Sequence, residues 1–252
     1  GPGWCLFANV SRGGREPAFR DIYDPQDYWS QQVDLEPEEL VDSEVGGEHR
    51  WATGHVRLNL YWLHFSNEIV WAGGLDSNGV PVTANGAVTD HRGVELEVAW
   101  SPHPRWGGRL GAAWARNTFD QFVEYDWEGN PTDHAGNWIA GTPEWLGSLE
   151  LTDGVGPVGA QPSVRHAGRF YLDNTESADL INDAFTAVSL AVRVDLGAAV
   201  SDLLAARSAT VDLRVNNLTA SLYTTFGYVD GGDPRWIPAA TRSLYAGFTV
   251  DW

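Results

Sequence analysis

Along most of this chain, apolar and polar side chains alternate one by one. Val56, Leu58, Leu60 and Trp62 interleave with His55, Arg57, Asn59 and Tyr61; Val94, Leu96, Val98 and Trp100 interleave with Glu95, Glu97 and Ala99. The same period sets Val188, Leu190, Val192 and Val194 against Ser189, Ala191, Arg193 and Asp195, and Val211, Leu213 and Val215 against Thr210, Asp212 and Arg214. It continues to the last residue, where Leu244, Ala246, Phe248, Val250 and Trp252 alternate with Ser243, Tyr245, Gly247, Thr249 and Asp251. Successive side chains of a strand point to opposite faces, so this pattern predicts β-strands with one greasy and one polar face. Together with segments near 3–11, 40–51, 106–118, 139–151 and 157–170, it predicts about ten strands, many of roughly 9–11 residues. The stretch AAVSDLLAAR is the one short helical candidate.

The connections sort by length. Those near 51–54 (WATG), 101–105 (SPHPR), 152–157 (TDGVGP) and 197–207 are short to middling. Those near 12–39, 67–88, 118–138, 171–183 and 218–239 are long and rich in Gly, Asp, Asn and aromatic residues. Short and long alternate strictly, which is the signature of an up-and-down antiparallel transmembrane β-barrel with tight periplasmic turns and long extracellular loops. The alternative, half-buried strands of a soluble β-protein, gives no reason for loop lengths to segregate. Trp4, Trp51, Trp100, Trp106 and Trp252 all fall at the short-turn rim. An interfacial belt belongs there, because the indole ring is buried at the boundary while its N–H stays wet. A barrel also accounts for a final strand that stops on an aromatic: that strand is a wall member, paired along its edge.

Charge then decides which face looks where. Arg57, Glu95, Glu97, Arg109, Arg193, Asp195, Asp212 and Arg214 share the polar phase. An Arg facing lipid near the midplane would cost about 2–4 kcal/mol, so that phase must face the lumen, where its charges pair with one another or with whatever fills the barrel. The chain as a whole carries a formal charge of −18, from 34 acids against 16 bases, all of them arginine. This argues against a nucleic-acid partner, which needs a basic footprint. A lone cysteine, Cys5, permits no internal disulfide and supports no zinc or redox motif. The most apolar stretch, FTAVSLAVRVDLGAAV, is broken by Arg193 and Asp195, so a helical membrane span is not expected. With 252 residues, no Met, and strand character from GPGWCLFANV onward, the sequence reads as an excised C-terminal piece of a longer protein; its leading Gly-Pro could instead be a cloning scar.

Several stretches together resemble the C-terminal part of the barrel of TonB-dependent outer-membrane receptors. They are FANVSRGGREPAFRDIYDP (7–25), LYWLHFSNEIV (60–70), HRGVELEVAW (91–100), GNWIAGTPEWLGSLEL (136–151), RHAGRFYLDNT (165–175), VNNLTASLYTTFGY (215–228) and the closing AGFTVDW. The resemblance departs after Asn216, Asn217 and Leu218, where Thr219, Ala220 and Ser221 replace the family's Asp-Lys-like pair, and at Pro162, which removes a ladder donor inside a predicted strand. The resemblance implies that residues 1–252 are the C-terminal half of a barrel of about 22 strands, with the plug domain and the first half of the wall absent. It implies an integral protein of the bacterial outer membrane, in contact with its lipid. It further implies TonB-dependent uptake of a scarce ligand, most often a ferric siderophore, with TonB acting through the plug. Gly247, Val250 and Trp252 match the closing strand that the barrel-assembly machinery reads in this family. The resemblance implies no cofactor and no catalysis.

Ligand contacts are expected on the long loops, because binding residues concentrate on loops held by a rigid scaffold. Arg15, Arg20, Tyr23, Tyr28 and Trp29 lie in the first; Tyr125, Trp127 and Trp138 in the third; Tyr171 in the fourth; Tyr223, Tyr228 and Trp236 in the last. Guanidinium forks and aromatic faces suit bulky, oxygen-rich ligands such as metal chelates; the same aromatics also serve as plain interfacial anchors. DPQDYW, DLEPEE, DHRG and the Asp133-His134 pair supply acids and a histidine but lack the spacing of a metal site, so solvated loop charge is expected and no metal. Ser163, His166 and Asp173 have the residue types of a hydrolytic triad, but their offsets put Ser163 and His166 on opposite faces of a strand. Two other functions fit the pattern: a surface-recognition or adhesive barrel without transport, and uptake of a ligand such as cobalamin or a glycan.

Overall fold

The computed structural model describes residues 2–18, 36–75, 81–125, 130–230 and 232–252. Ten strands form one continuous wall: β1 (Gly3–Arg15), β2 (Glu38–Trp51), β3 (Gly54–Leu75), β4 (Pro81–His103), β5 (Trp106–Gln121), β8 (Trp145–Val155), β9 (Val158–Ala167), β12 (Phe185–Asp195), β13 (Ser208–Asn216) and β16 (Ser243–Asp251). Every neighbouring pair in that order is antiparallel. The intervening numbers are three small hairpins set into long loops: β6 (Val123–Tyr125) with β7 (Pro131–Asp133), β10 (Phe170–Tyr171) with β11 (Ile181–Asn182), and β14 (Thr224–Asp230) with β15 (Asp233–Pro238). The wall is therefore an up-and-down meander, as the alternation predicts. A single short helix among the described residues, α1 (Gly197–Leu203), fills the turn between β12 and β13, within the stretch AAVSDLLAAR.

Register confirms the two faces. Leu58 pairs with Gly47 and Leu96, Val94 with Leu60 and Trp114, and Leu110 with Val98 and Leu149, giving an apolar sheet surface across five strands. Its side chains stand free: Leu6 is 82% exposed, Leu58 and Leu60 each 44%, and Phe248 57%. An apolar surface of this extent is bare in water and covered in a bilayer. Trp4, His49 and Trp51 stack in series at the short-turn end, and Trp100 lies across Gly108, where a Cβ would meet its ring at 2.5 Å. The short-turn girdle thus holds Trp4, Trp51 and Trp100, three of the tryptophans expected there. Trp100 to Arg92 spans nine residues of β4, both ends included, and Arg92 neighbours Trp62 and marks the outer boundary.

Three expectations need correction. The strand predicted over 139–151 begins only at Trp145, because Ile139 and Ala140 turn away from the lipid face into a small core above the membrane. The segment 67–88, read as loop, is largely strand: β3 and β4 run past the bilayer as a tall hairpin with register shifts at Phe65/Glu68, Glu68/Val70 and Trp71/Leu75. Asn67 makes the first of these shifts in left-handed backbone (φ 54°), where asparagine is among the tolerated residues. Finally, the strand predicted over 157–170 ends at Ala167. Pro162 does break the ladder locally: the β8–β9 pairing passes from Glu150/Ser163 to Asp153/Ala160 without a bond partner for Pro162, yet without a register shift.

Among the described residues, β1 and β16 each pair along one edge only. The buried apolar cluster of Val70, Ala87, Phe119, Phe122 and Ile139 lies beyond the outer girdle, so within the membrane the wall relies on lipid and lumen rather than on a core of its own.

Candidate functional site

Two surfaces carry chemistry: the luminal face of the wall and the layer of loops above it. On the luminal face, pairing lines up Arg109, Glu150, Ser163 and Ser189 in one row across β5, β8, β9 and β12. Asn216 and Ser243 continue it on β13 and β16, with Asn216 Nδ2 donating to Ser243 Oγ at 3.4 Å. These residues floor a groove of about 570 Å³ that Arg165, Tyr223 and Tyr245 also line. Tyr223 stacks on Phe185 at 4.4 Å, and the Arg165 guanidinium lies 5.9 Å from the same Phe185 ring. Deeper in the lumen, Arg193 donates to Asp212 at 2.6 Å.

The opposite side of the luminal face is acidic. Glu44, Glu48, Glu95 and Glu97 line β2–β4, and the buried Asn59 donates to Glu44 at 3.2 Å and to Glu95 at 3.3 Å. Arg57 lies 4.9 Å from the Phe7 ring centre. On this face arginines 109, 165, 193 and 214 lie on β5–β13 beside Glu150, Asp195 and Asp212, while Arg50 and Arg57 stand among the acids of β2–β4.

The loops are tied to one another by asparagine side chains. Asn174, 1% exposed, donates to the Trp71 carbonyl at 3.0 Å and accepts from the Ala140 N–H at 3.0 Å; its own carbonyl accepts from Asn137 Nδ2 at 2.8 Å. Asn182, fully buried, accepts from Thr224 Oγ1 at 2.7 Å and donates to the Thr224 carbonyl at 3.2 Å. Trp71 stacks on Phe226 at 5.3 Å, and β14 meets β3 at Val229 and Gly74. Buried polar atoms must be paired, so these residues fix the loops after β3, β5, β9 and β13 as one cap.

His91 sits beneath this cap, on the long-loop side of the outer girdle. It bonds Glu68 Oε2 at 3.1 Å and Asn117 Oδ1 at 2.9 Å, and the Thr89 hydroxyl donates to the same Glu68 carboxylate. Burial works against its positive charge, but the hydrogen bond and charge of Glu68, the bond to Asn117 and the charge of Asp90 prevail and raise its pKa above the ordinary histidine value. A raised folded pKa adds stability that is complete below the unfolded value of about 6.5 and fades as pH climbs through the folded one. Amide-exchange protection around Glu68 and Asn117 is therefore expected to fall across that window in the native protein and to be flat in His91→Gln.

The loop residues singled out from the sequence divide among these places. Arg15 ends β1 and pairs with Glu38 at 3.0 Å. Arg20, Tyr23, Tyr28, Trp29 and Trp127 lie outside the described residues, and of Tyr125 only the backbone, ending β6, is described. Trp138 bridges to Thr118 and, with Tyr171, lines a crevice of about 80 Å³ above the girdle. Trp236 donates its Nε1 to the Ile181 carbonyl at 3.1 Å, and Tyr228 packs near Phe226 at 6.5 Å. Only Tyr223 lines the luminal groove. Sequence reading missed Glu150, Ser163, Arg165, Ser189 and Tyr245 as a group, although extending the two-residue period through β8 and β9 would have placed them on one face. The triad types are apart: His166 bonds Thr186 at 2.9 Å, while Asp173 accepts from Thr175 at 2.7 Å. No group of three His, Cys, Asp or Glu able to hold a metal occurs among the described residues.

A family model described as "TonB dependent receptor-like, beta-barrel" matches residues 1–218. This chain belongs to that family. The match stops before β16, which extends the wall by pairing with β13 from Ser208/Asp251 to Asn216/Ser243. Among solved structures, the ferric yersiniabactin uptake receptor FyuA from Yersinia pestis aligns over 99% of this chain and 35% of its own, with TM-score 0.72 and 16% identity. The siderophore receptor PiuA from Acinetobacter baumannii aligns over 97% and 33%, with TM-score 0.73 and 16% identity. The ferric citrate transporter FecA aligns over 96% and 35%, with TM-score 0.69 and 17% identity. The chain therefore spans about a third of the length of the receptors it matches. No curated protein matches its sequence significantly. Members of the TonB-dependent receptor family are transport receptors, and these neighbours are outer-membrane proteins. The barrel expectation is thereby established for this receptor wall.

Proposed function

We propose that this chain is the C-terminal wall of an integral outer-membrane receptor that takes up a ferric siderophore with energy from TonB. The observation that carries the reading is the luminal groove below the loop cap, where Arg109, Arg165, Tyr223 and Tyr245 converge. Guanidinium forks and aromatic rings are the groups that hold an anionic, oxygen-rich chelate. The neighbouring receptors for ferric yersiniabactin and other siderophores support that ligand class. In this reading the plug domain carries the contact with TonB, and the closing strand with Gly247, Val250 and Trp252 is what the barrel-assembly machinery engages. Arg15, Arg20, Tyr23, Tyr28, Trp29, Tyr125, Trp127, Trp138, Tyr171, Tyr228 and Trp236 belong to the capturing loops and their frame.

The test is a titration of the full-length receptor with ferric chelates, cobalamin and oligosaccharides, paired with uptake in cells with and without TonB. Saturable binding of one ferric chelate, weakened about tenfold or more by Arg165→Gln, with TonB-dependent uptake, is the expected result. Binding of cobalamin or a glycan in its place would overturn the ligand class. Specific binding without uptake in either strain would favour a recognition barrel.

A further inference from the structure

The cap is built on the β3–β4 hairpin, and the ladder of that hairpin is irregular at its base. Register shifts between Phe65 and Glu68 and again between Glu68 and Val70, so Glu68 meets Ala87 with a shift on either side. Past that base the hairpin supplies Val70 to the buried core, stacks Trp71 on Phe226, gives the Trp71 carbonyl to Asn174 Nδ2 and meets Val229 at Gly74. Holding Glu68 in place therefore also holds the loops after β9 and β13.

A charge holds it. His91 Nε2 lies 3.1 Å from Glu68 Oε2, and His91 Nδ1 lies 2.9 Å from Asn117 Oδ1. A neutral imidazole has one donor nitrogen and one acceptor nitrogen, so two acceptors at its two nitrogens are both served only by the imidazolium. The Thr89 hydroxyl donates to the same Glu68 carboxylate, and the Phe65 ring closes the site edge-on at 5.2 Å. Both side chains of the ion pair are only 15% exposed. Once His91 gives a proton to solvent, one of its two bonds is lost and the Glu68 carboxylate loses its counter-charge in a largely dry site.

The charged and titratable groups around the ring are these. On its own face, Glu68 comes from β3, Tyr61 lies over Gly93 one step down the wall, and Asp42 of β2 stands in the same row across Leu63. Glu36 and Glu38 accept from Asn67 and Ile69 on either side of Glu68. Asp90, Arg92, His64 and Arg116 lie on the opposite face, where Asp90 is bonded by His64 and Arg92. His134, bonded to Glu124 at 3.0 Å, lies beyond Phe119 in the cap. Burial works against a positive His91, but the Glu68 and Asn117 bonds and the charge of Asp90 outweigh it and keep the proton on above the ordinary histidine range. The contribution is thus complete at low pH and fades as pH climbs through the folded pKa.

We propose that Glu68, His91 and Asn117 form a pH latch at the foot of the cap: a charged His91 holds the β3–β4 hairpin in place, and loss of its proton to solvent frees the hairpin and widens the mouth above the luminal groove. The latch acts without ligand, so it stands or falls separately from the ligand class proposed above.

The test uses the full-length receptor in bilayers, in a Cys5→Ala background, with spin labels on Thr83→Cys of the hairpin and Asp233→Cys of β15. The distance between the labels is read as pH is raised from about 5.5 to about 9. One distance at the acid end, joined by a longer and broader population as pH rises, is the expected result. Asn117→Asp keeps the size of the side chain and adds a negative charge, so the midpoint is expected to move up by about one pH unit or more, and Glu68→Gln is expected to move it down by a similar amount. His91→Gln is expected to show no transition. A merely structural role for these residues would leave the midpoint where it is. A distance unchanged with pH in the native protein, a transition that survives in His91→Gln, or a midpoint unmoved by Asn117→Asp and Glu68→Gln would overturn the proposal.

Discussion

Replacing Leu96 by arginine is expected to cost about 2–4 kcal/mol of folding free energy in the membrane. Leu96 pairs with Leu58 and Ala112, midway along β4 between Trp100 and Arg92, with its side chain on the apolar face. Among the described residues no carboxylate on that face is within reach to pair with a cation there: Asp90 lies six residues along the strand, at the outer boundary, and is already engaged by Arg92. The same substitution at Ser189, on the luminal face beside Ser163, is expected to cost under about 1 kcal/mol, since its charge meets water and polar neighbours. Urea titration of the full-length receptor in bilayers, followed by the shift of the folded band in unheated electrophoresis, measures the difference. Equal penalties at the two positions would be incompatible with lipid on one side and lumen on the other.

The second large effect is expected above the membrane. Asn174→Leu leaves the Trp71 carbonyl and the Ala140 N–H without partners in a site that is 1% exposed. Each stranded group costs about 1–3 kcal/mol, so the substitution removes about 2–6 kcal/mol from the cap. The cost falls on the loops and not on the strands, whose ladders are untouched. Amide exchange should therefore quicken around Trp71, Asn137 and Ala140 and proteases should cut there, while the barrel keeps its resistance to unfolding. A uniform loss of protection through β8 and β9 would contradict the separation of cap and wall.

How much was legible follows from the physics of each part. The wall was readable because lipid on one face and water on the other impose a period of two that nothing else in the chain imitates. Val94 to Val98 and Phe248 to Trp252 show it without exception. The limits of the wall were less readable. Asn67 and Asn85 signal a turn, yet Asn67 makes a bulge in a continuing hairpin, where Asn85 Nδ2 donates to its carbonyl at 2.6 Å. Ile139 and Ala140 have strand-like apolarity but serve the loop core, a choice set by contacts with Val70, Ala87 and Phe119 far away in sequence. The cap itself was invisible, because an asparagine that bonds a carbonyl 103 positions away looks like any loop asparagine. Of the loop aromatics, Tyr223, expected on the last long loop, lines the luminal groove, while Trp236 and Trp138 serve the frame of the loops through Ile181, Thr118 and Glu176.

The orientation of the two faces underlies every other statement, and spin labels on consecutive residues of β4 test it most directly. In a Cys5→Ala background of the full-length receptor in bilayers, single labels at residues 94 to 99 would be read for collision with oxygen, which concentrates in lipid, and with a water-soluble nickel chelate. The expected result is a strict alternation, with oxygen favoured at Val94, Leu96 and Val98 and not at Glu95, Glu97 and Ala99. An unbroken profile along the six positions, or an alternation of opposite phase, would contradict the account.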